Sequence, residues 1–369
     1  MDFVAKIIIF KNAKMKLEDL GYNNIFEKFR NHNSLNSFEI GRVIAEHKER
    51  YNILTEKGEF DGEITGNMRF TAKNREDFPA VGDWVALTTY DTEFPIIHKI
   101  LPRFSIIKRQ AVGQIGEIQI IAVNVDYAFL VQAADRDFNI NRLERYLTIC
   151  NSSKVSPIIV LSKIDLINEH QISEMLAQIN GRIKNVPIIA ISNESQDGYE
   201  TLKKTIEKGK TYCLLGSSGV GKSTLLNNLS GKNLMQTGNI SQTTNKGRHI
   251  TSHRELIVLE NGGILIDNPG MREVGIADGA SGLEITFDGI IGFAKNCKFK
   301  DCTHTNEIGC AVLEALAKNE IDKTSYDNYL KMEKEKVYFE STVAESRKKD
   351  KEFGKFMKNY KKDMKKNKY

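Results

Sequence analysis

No apolar run in the 369-residue sequence approaches the roughly 18 residues of a membrane-spanning helix, which excludes one. The segment "VAKIIIF" near the start is short, carries Lys6 and is followed by Lys11. No small-residue cleavage pattern follows it, so it is not read as a signal peptide. No internal repeat is visible, which excludes a repeat architecture. Cysteine is scarce, with five in all. Cys150 and Cys213 stand alone in apolar segments and are expected to be buried thiols. With no membrane span and no signal pattern, the chain is expected in the cytoplasm, where disulfides are rare. The net charge is only +5 and it is unevenly spread. From Glu345 onward there are 11 Lys/Arg against 4 Asp/Glu, a surplus of seven that leaves the remainder at −2. Such a tail attracts polyanions without reading sequence, or simply solubilises a frayed end.

What is present is the composition of a globular protein, 40% apolar and 27% charged, at a length that calls for two or three domains. Residues 1–36 form an N-terminal extension with little pattern. Residues 37–105 read as five short strands ("GRVIAEHK", "YNILTE", "EFDGEITGNMRF", "VGDWVALTT", "PIIHKIL"), the texture of a small OB-type β-barrel. Such barrels bind nucleic acid or protein, and the pattern does not choose between them. Residues 106–282 alternate buried strands with amphipathic helices, which predicts an α/β domain with a doubly wound parallel sheet. "IQIIAVNVDYAFLVQAA" reads there as strands buried on both faces. Residues 283–340 are mostly helical and carry the Cys/His cluster. Residues 341–369 are the basic tail.

The sequence "GSSGVGKST" fits G-x-x-x-x-G-K-[ST] between a predicted strand and a predicted helix, the context of a phosphate-binding loop. Gly216, Ser217, Ser218, Gly219, Val220 and Gly221 would wrap the β-phosphate with inward N–H groups. Lys222 would offer an ammonium to the β and γ oxygens, and the Ser223 hydroxyl would bind Mg²⁺. Lys222, Ser223 and Thr224 open a helix whose dipole favours the anion. About fifty residues earlier, Ser162-Lys163-Ile164-Asp165 follows a buried strand. Asp165 can accept from N1–H and the 2-amino group of guanine, a donor pair adenine lacks. Bonds of that kind discriminate by roughly 10⁴-fold. Lys163 would lay its stem along the base. Ser192 and the backbone N–H of Asn193, at the end of the next strand, would meet O6. A helix N-cap is the alternative reading of "SKID".

Beyond the phosphate loop, "RELIVLENGGILIDNPG" predicts a hairpin with an Asn-Gly turn. Asp267 would hold Mg²⁺ through water, and the Gly270 N–H would reach the γ-phosphate. Thr251 is the candidate switch hydroxyl on Mg²⁺, with Thr243, Thr244 and Ser252 as competitors. Met271 stands where a Ras-like enzyme has the glutamine that orients the attacking water. His249 is the candidate to replace it. The alternatives are an exposed loop histidine or a contact to a partner. Cys297, Cys302, His304 and Cys310 give C-x₄-C-x-H-x₅-C, a ligand set for one structural, tetrahedral Zn²⁺.

The order of guanine reader, phosphate loop and switches resembles that of circularly permuted GTPases. With "GSSGVGKSTLLN", "GRHITSHREL", "DNPGMREVG" and "CKFKDCTHTNEIGC", the chain from about Leu17 to Tyr338 resembles the bacterial ribosome small subunit-dependent GTPase A family. The family usually has Asn-Lys-x-Asp where this chain has "SKID", Ala at position 193, and His-Thr-Thr-Thr where it has "HITS". The resemblance implies a circularly permuted P-loop GTPase domain with an N-terminal OB-type β-barrel and a C-terminal helical zinc-binding domain. It implies a GTP hydrolase acting late in maturation of the small ribosomal subunit, binding 16S rRNA and stimulated by the subunit. It further implies GTP/GDP as ligands with Mg²⁺, no membrane partner and a monomer. A GTP-dependent RNA-binding switch with negligible turnover is the first alternative. An ATP-using P-loop enzyme is the second, and Asp165 argues against it.

Overall fold

The computed structural model describes residues 15–47, 50–89, 94–110, 118–135, 137–231, 255–267, 280–340, 345 and 348. A short turn of helix (Leu17–Leu20) and helix α1 (Asn24–His32) come first. Asn23 caps α1 by accepting from the Ile25 N–H. Sequence pattern said little about this stretch, yet it is core. Leu20 and Phe26 are fully buried, and Tyr22 and Phe26 pack on Trp84.

Five strands follow: β1 (Glu39–His47), β2 (Arg50–Thr55), β3 (Gly58–Ile64), β4 (Trp84–Thr88) and β5 (Ile96–Ile100). They pair in the order β1-β2-β3-β5-β4, and β4 returns to β1, which closes a barrel. Only β3–β5 is parallel. Helix α2 (Gly66–Thr71) sits between β3 and β4, with Thr65 accepting from the Met68 N–H at its start. "GNMRF", grouped with a strand by its texture, is therefore helical; the signal was the capping threonine.

A bulge between Val43 and Ala45 gives β1 two partners along one edge. Before it, Glu39–Arg42 pair with β4; after it, Ala45 pairs with Glu255, in the strand Glu255–Val258 of the α/β domain. Bulges bend a strand in this way. Barrel and α/β domain thus share one eleven-stranded sheet. Arg42, 1% exposed, pins the junction: its guanidinium donates to the carbonyls of Leu20, Gly82 and Asn124 and to Thr211 Oγ1.

Strands β6 (Ile106–Gln110) and β7 (Ile118–Val123) form a separate antiparallel ribbon. β7 is buried as its composition implies, but it does not join the parallel sheet. That sheet comprises β8 (Tyr127–Ala133), β9 (Ser156–Ser162), β10 (Ile188–Ala190), β11 (Thr211–Leu215), β12 (Glu255–Val258) and β13 (Ile264–Asp267), in the order β10-β9-β8-β11-β13-β12. All pairs are parallel except β12–β13. Helices α3 (Ile140–Ser153), α4 (Glu169–Arg182), α5 (Tyr199–Lys204) and α6 (Lys222–Ser230) make the crossovers among β8–β11 and follow β11. Cys150 and Cys213 are fully buried thiols. The β12–β13 hairpin turns at Glu260–Gly262, with Gly262 at φ +81°. The Gly262 N–H donates to Leu259 O and the Leu259 N–H to Gly263 O, a three-residue loop closed by a glycine.

Helices α7 (Ala280–Thr286), α8 (Asp288–Ala294) and α9 (Ala311–Ala317) and the helix over residues 323–340 share a core of Leu283, Phe287, Ile290, Val312 and Met332. This unit docks on α3. Glu144, 3% exposed, accepts from Arg182, Ser325 and Asn328, and Arg145 forms a two-bond ion pair with Glu335. A Cβ on Gly282 would lie 2.2 Å from Thr148 O, so α7 can approach α3 this closely only with glycine there. Among the described residues, no helix is long and apolar enough to cross a membrane.

Candidate nucleotide site and metal centre

The carboxyl ends of β8, β9, β10, β11 and β13 place the site, as open α/β sheets do. β11 runs into Gly216–Gly221, and α6 begins at Lys222. The loop needs its glycines. A Cβ on Gly216 would come within 2.4 Å of Val131 O, and Gly219 and Gly221 adopt φ +85° and +93°. Lys222 is 4% exposed, and its ammonium donates to the carbonyls of Gly216 (2.7 Å) and Ser217 (2.6 Å). It is folded across the mouth of its own loop. Ser223 and Thr224 follow in the first turn, half-buried. Asp267 ends β13, 3% exposed, close enough to Lys222 to favour its charge.

Burial lowers the Lys222 pKa to about 8, with Asp267 opposing the shift. A bound polyphosphate favours the ammonium form and raises that value. Above pH 8 binding must therefore take up a proton, and affinity falls as pH rises; below it the lysine is already charged and affinity is flat. GDP affinity is expected to drop by up to about tenfold between pH 7 and pH 9. Calorimetry in two buffers of different ionisation heat should count about one proton taken up at pH 9. Lys222→Ala should lower affinity by about 10²-fold or more and erase the pH step. An unchanged affinity in the folded variant means the phosphates lie elsewhere.

Three of the four "SKID" residues meet the rest of the site. Ser162, fully buried at the end of β9, donates its hydroxyl to Val220 O at 2.7 Å in the phosphate loop. Lys163 takes the left-handed conformation (φ +61°) and pairs with Asp135 at 2.9 Å. Asp165 lies in a single helical turn and accepts from Ser192 Oγ at 2.6 Å. Ser192 Oγ in turn accepts from the Glu194 and Ser195 N–H groups, which shapes the turn after β10. The Asn193 side chain donates to Gly221 O at 3.2 Å. The fold thus brings Ser162, Lys163, Asp165, Ser192, Asn193, Gly216–Ser223 and Asp267 to one edge of the sheet. His249, Thr251 and Gly270, with Thr243, Thr244, Ser252 and Met271, lie outside the described residues.

Sequence reading missed several contributors. Asp135 precedes α3 and holds Lys163. Arg142, in the first turn of α3, donates to Ser217 Oγ at 3.1 Å. Tyr199 and Asn228 brace Asn193. None belongs to a motif, and each is joined to the site only by the fold.

Cys297, Cys302, His304 and Cys310 present their ligand atoms within 4.8 Å of one another. Cys297 Sγ lies 3.8 Å from Cys310 Sγ, and His304 Nδ1 lies 3.6 and 3.5 Å from these two sulfurs. A tetrahedron with Zn–S of about 2.3 Å and Zn–N of about 2.0 Å has edges of about 3.8 and 3.5 Å. The cluster therefore fits a zinc ion. Burial lowers the His304 pKa, which favours the neutral, ligating imidazole. His304 takes φ +60°, and its carbonyl accepts from Tyr326 OH at 2.6 Å. Glu307 holds the ligand loop, accepting from the Thr303, Thr305 and Asn306 N–H groups and from the Thr303 hydroxyl.

The family model described as RsgA GTPase matches residues 100–277. A second, described as ABC transporter, matches residues 199–362, a stretch that takes in the same phosphate loop. The small ribosomal subunit biogenesis GTPase RsgA 1 of Bacteroides thetaiotaomicron is 39% identical over 324 residues, covering 87% of this chain and 90% of its own. The crystal structure of YjeQ from Thermotoga maritima superposes with a TM-score of 0.60 at 24% identity, covering 83% of this chain and 98% of that one. YloQ, described as a circularly permuted GTPase, gives 0.56 at 24% identity over 84% and 96%.

Proposed function

Because the chain belongs to the RsgA GTPase family, we propose that it hydrolyses GTP to GDP and phosphate in late maturation of the small ribosomal subunit. In this reading it is a cytoplasmic monomer that binds 16S rRNA and is stimulated by the subunit. The observation that carries the GTP assignment is the bond from Ser162 to Val220 O, which fastens the base reader to the phosphate loop. Asp165 reads N1–H and the amino group, and Lys163 lies along the base. Lys222 leaves its own loop's carbonyls for the β and γ oxygens and stabilises the charge that develops there. Mg²⁺ would be held by the Ser223 and Thr251 hydroxyls and, through water, by Asp267, and would neutralise the phosphates. Water attacks the γ-phosphorus, the bond to the β–γ bridging oxygen breaks, and GDP leaves. Zinc held by Cys297, Cys302, His304 and Cys310 would be structural, since four protein ligands would leave no open position.

Permutation gives the fold a direct output. β13 ends at Asp267, and only twelve residues separate it from α7, which opens the zinc-binding unit. The nucleotide's state can reach that unit along the chain.

His249 is assigned the orienting role that Met271 cannot fill. His249→Ala should lower subunit-stimulated kcat by about 10²–10⁴-fold, with GTP affinity within a few-fold of the parent. Cosedimentation with small subunits in a non-hydrolysable analogue should persist. Unchanged kcat removes His249 from the chemistry; lost cosedimentation assigns it to the interface instead. Met271 is also the observation that favours the second reading, a GTP-dependent RNA-binding switch with negligible turnover.

A further inference from the structure

Two adjacent carbonyls of the phosphate loop are held from the base-reading side. Val220 O accepts from Ser162, and Gly221 O accepts from the side-chain amide of Asn193. The Asn193 side chain is itself fixed. Its Oδ1 accepts from Tyr199 OH at 2.7 Å. Asn228, on α6, donates to Asn193 O at 3.1 Å and lies 3.0 Å from the same tyrosine hydroxyl. Tyr199 is 2% exposed, and Asn193 and Asn228 are half-buried beside it. The amide packs directly on Gly221, where an added Cβ would come within 2.5 Å of its nitrogen. Gly221 O also accepts from the Leu225 N–H at 2.9 Å. That carbonyl therefore does not need Asn193 to be satisfied. What the amide adds is a link between two loops that meet different halves of a nucleotide.

We propose that the Asn193 side chain is a positioning and specificity-determining element: it fixes the turn over residues 192–196 to the phosphate loop, so that the Asn193 N–H is already aimed at the base when the phosphates are seated. This rests on the reading of Ser162–Asp165 and Ser192–Asn193 as the guanine reader. A backbone donor discriminates fully only when its geometry is set beforehand. Ser162 offers a short hydroxyl reaching one carbonyl of the loop, and Asn193 supplies the second link from the carboxyl end of the neighbouring parallel strand β10. Alanine at 193 keeps the backbone N–H, the Asn228 bond to Asn193 O and every phosphate contact, but removes the amide link from the turn to Gly221 O. Its effect falls on the base, not on the phosphates.

The test compares GDP and ADP affinities of the parent, Asn193→Ala and Tyr199→Phe, with thermal melting of each. A parent that does not prefer GDP overturns the guanine reading itself, whatever Asn193 does. Given that preference, Asn193→Ala should reduce the GDP-to-ADP affinity ratio about tenfold, the worth of one or two hydrogen bonds, with ADP affinity unchanged. Tyr199→Phe, which removes the donor to Asn193 Oδ1, should move the ratio the same way by less, and it carries the test if the first variant does not fold. Equal weakening of GDP and ADP overturns the proposal, because the amide then serves only the phosphate loop. An unchanged ratio overturns it as well.

Discussion

Removing one zinc ligand, as in His304→Ala, should melt the C-terminal helical unit while nucleotide binding survives. The unit spans little more than residues 280–340, and a core of that size rarely supplies more than about 3–5 kcal/mol. A structural zinc adds on the order of 10 kcal/mol, so its loss exceeds what the apolar contacts supply. The loop geometry points the same way. Glu307 organises the backbone between ligands, but nothing apolar replaces the metal at its centre. The GTPase sheet is complete without the unit. On its docking face, Glu144 keeps its two bonds from Arg182 when Asn328 and Ser325 leave, so its charge stays paired. Circular dichroism should show lost helix, proteolysis should remove the region after about Leu283, and GDP affinity should stay within a few-fold. A strong chelator should do the same to the parent. Metal analysis finding no zinc in the purified protein, or GDP binding lost with the helices, contradicts the account.

Asp165→Asn should move the base preference from guanine to xanthine. Ser192 Oγ donates to Asp165 Oδ1 at 2.6 Å, and an amide oxygen can accept the same bond, so the local structure is retained. What changes is the partner offered to the base. Xanthine has a carbonyl where guanine has its amino group, and the new amide can donate to it. The lost pairing is worth roughly 10⁴-fold in discrimination. Competition between GTP and XTP for the variant reads this directly. GTP still winning would mean that Asp165 does not read the base.

The phosphate loop was legible because each residue type answers a local demand: glycine where a Cβ would strike Val131 O, lysine at the helix start. The five-stranded barrel was legible from strand texture, and the cysteine cluster from spacing. What the sequence hid was set by distant pairing. β7 has the composition of a central strand but pairs with β6, because a two-sided apolar run does not specify its partner. The segment over residues 17–32 has weak periodicity, yet Phe26 and Leu20 complete the packing around Trp84. The bulge in β1 that joins barrel to sheet leaves no mark a single strand could show. Ser162 and Asn193 are legible as parts of the base reader, but their side chains only as departures from the family pattern. Their hydrogen bonds to neighbouring carbonyls of the phosphate loop appear only when β9, β10 and α6 are assembled.

The central claim is that this chain is a GTP hydrolase whose turnover the small ribosomal subunit controls. Phosphate release from GTP should be measured with the protein alone, with purified small subunits, and with large subunits as control. The account predicts slow hydrolysis alone, stimulation of at least about tenfold by small subunits, on the scale of one well-placed catalytic group, and none by large subunits. Guanine-specific binding with the same negligible turnover in all three would contradict it and leave a GTP-dependent binding switch.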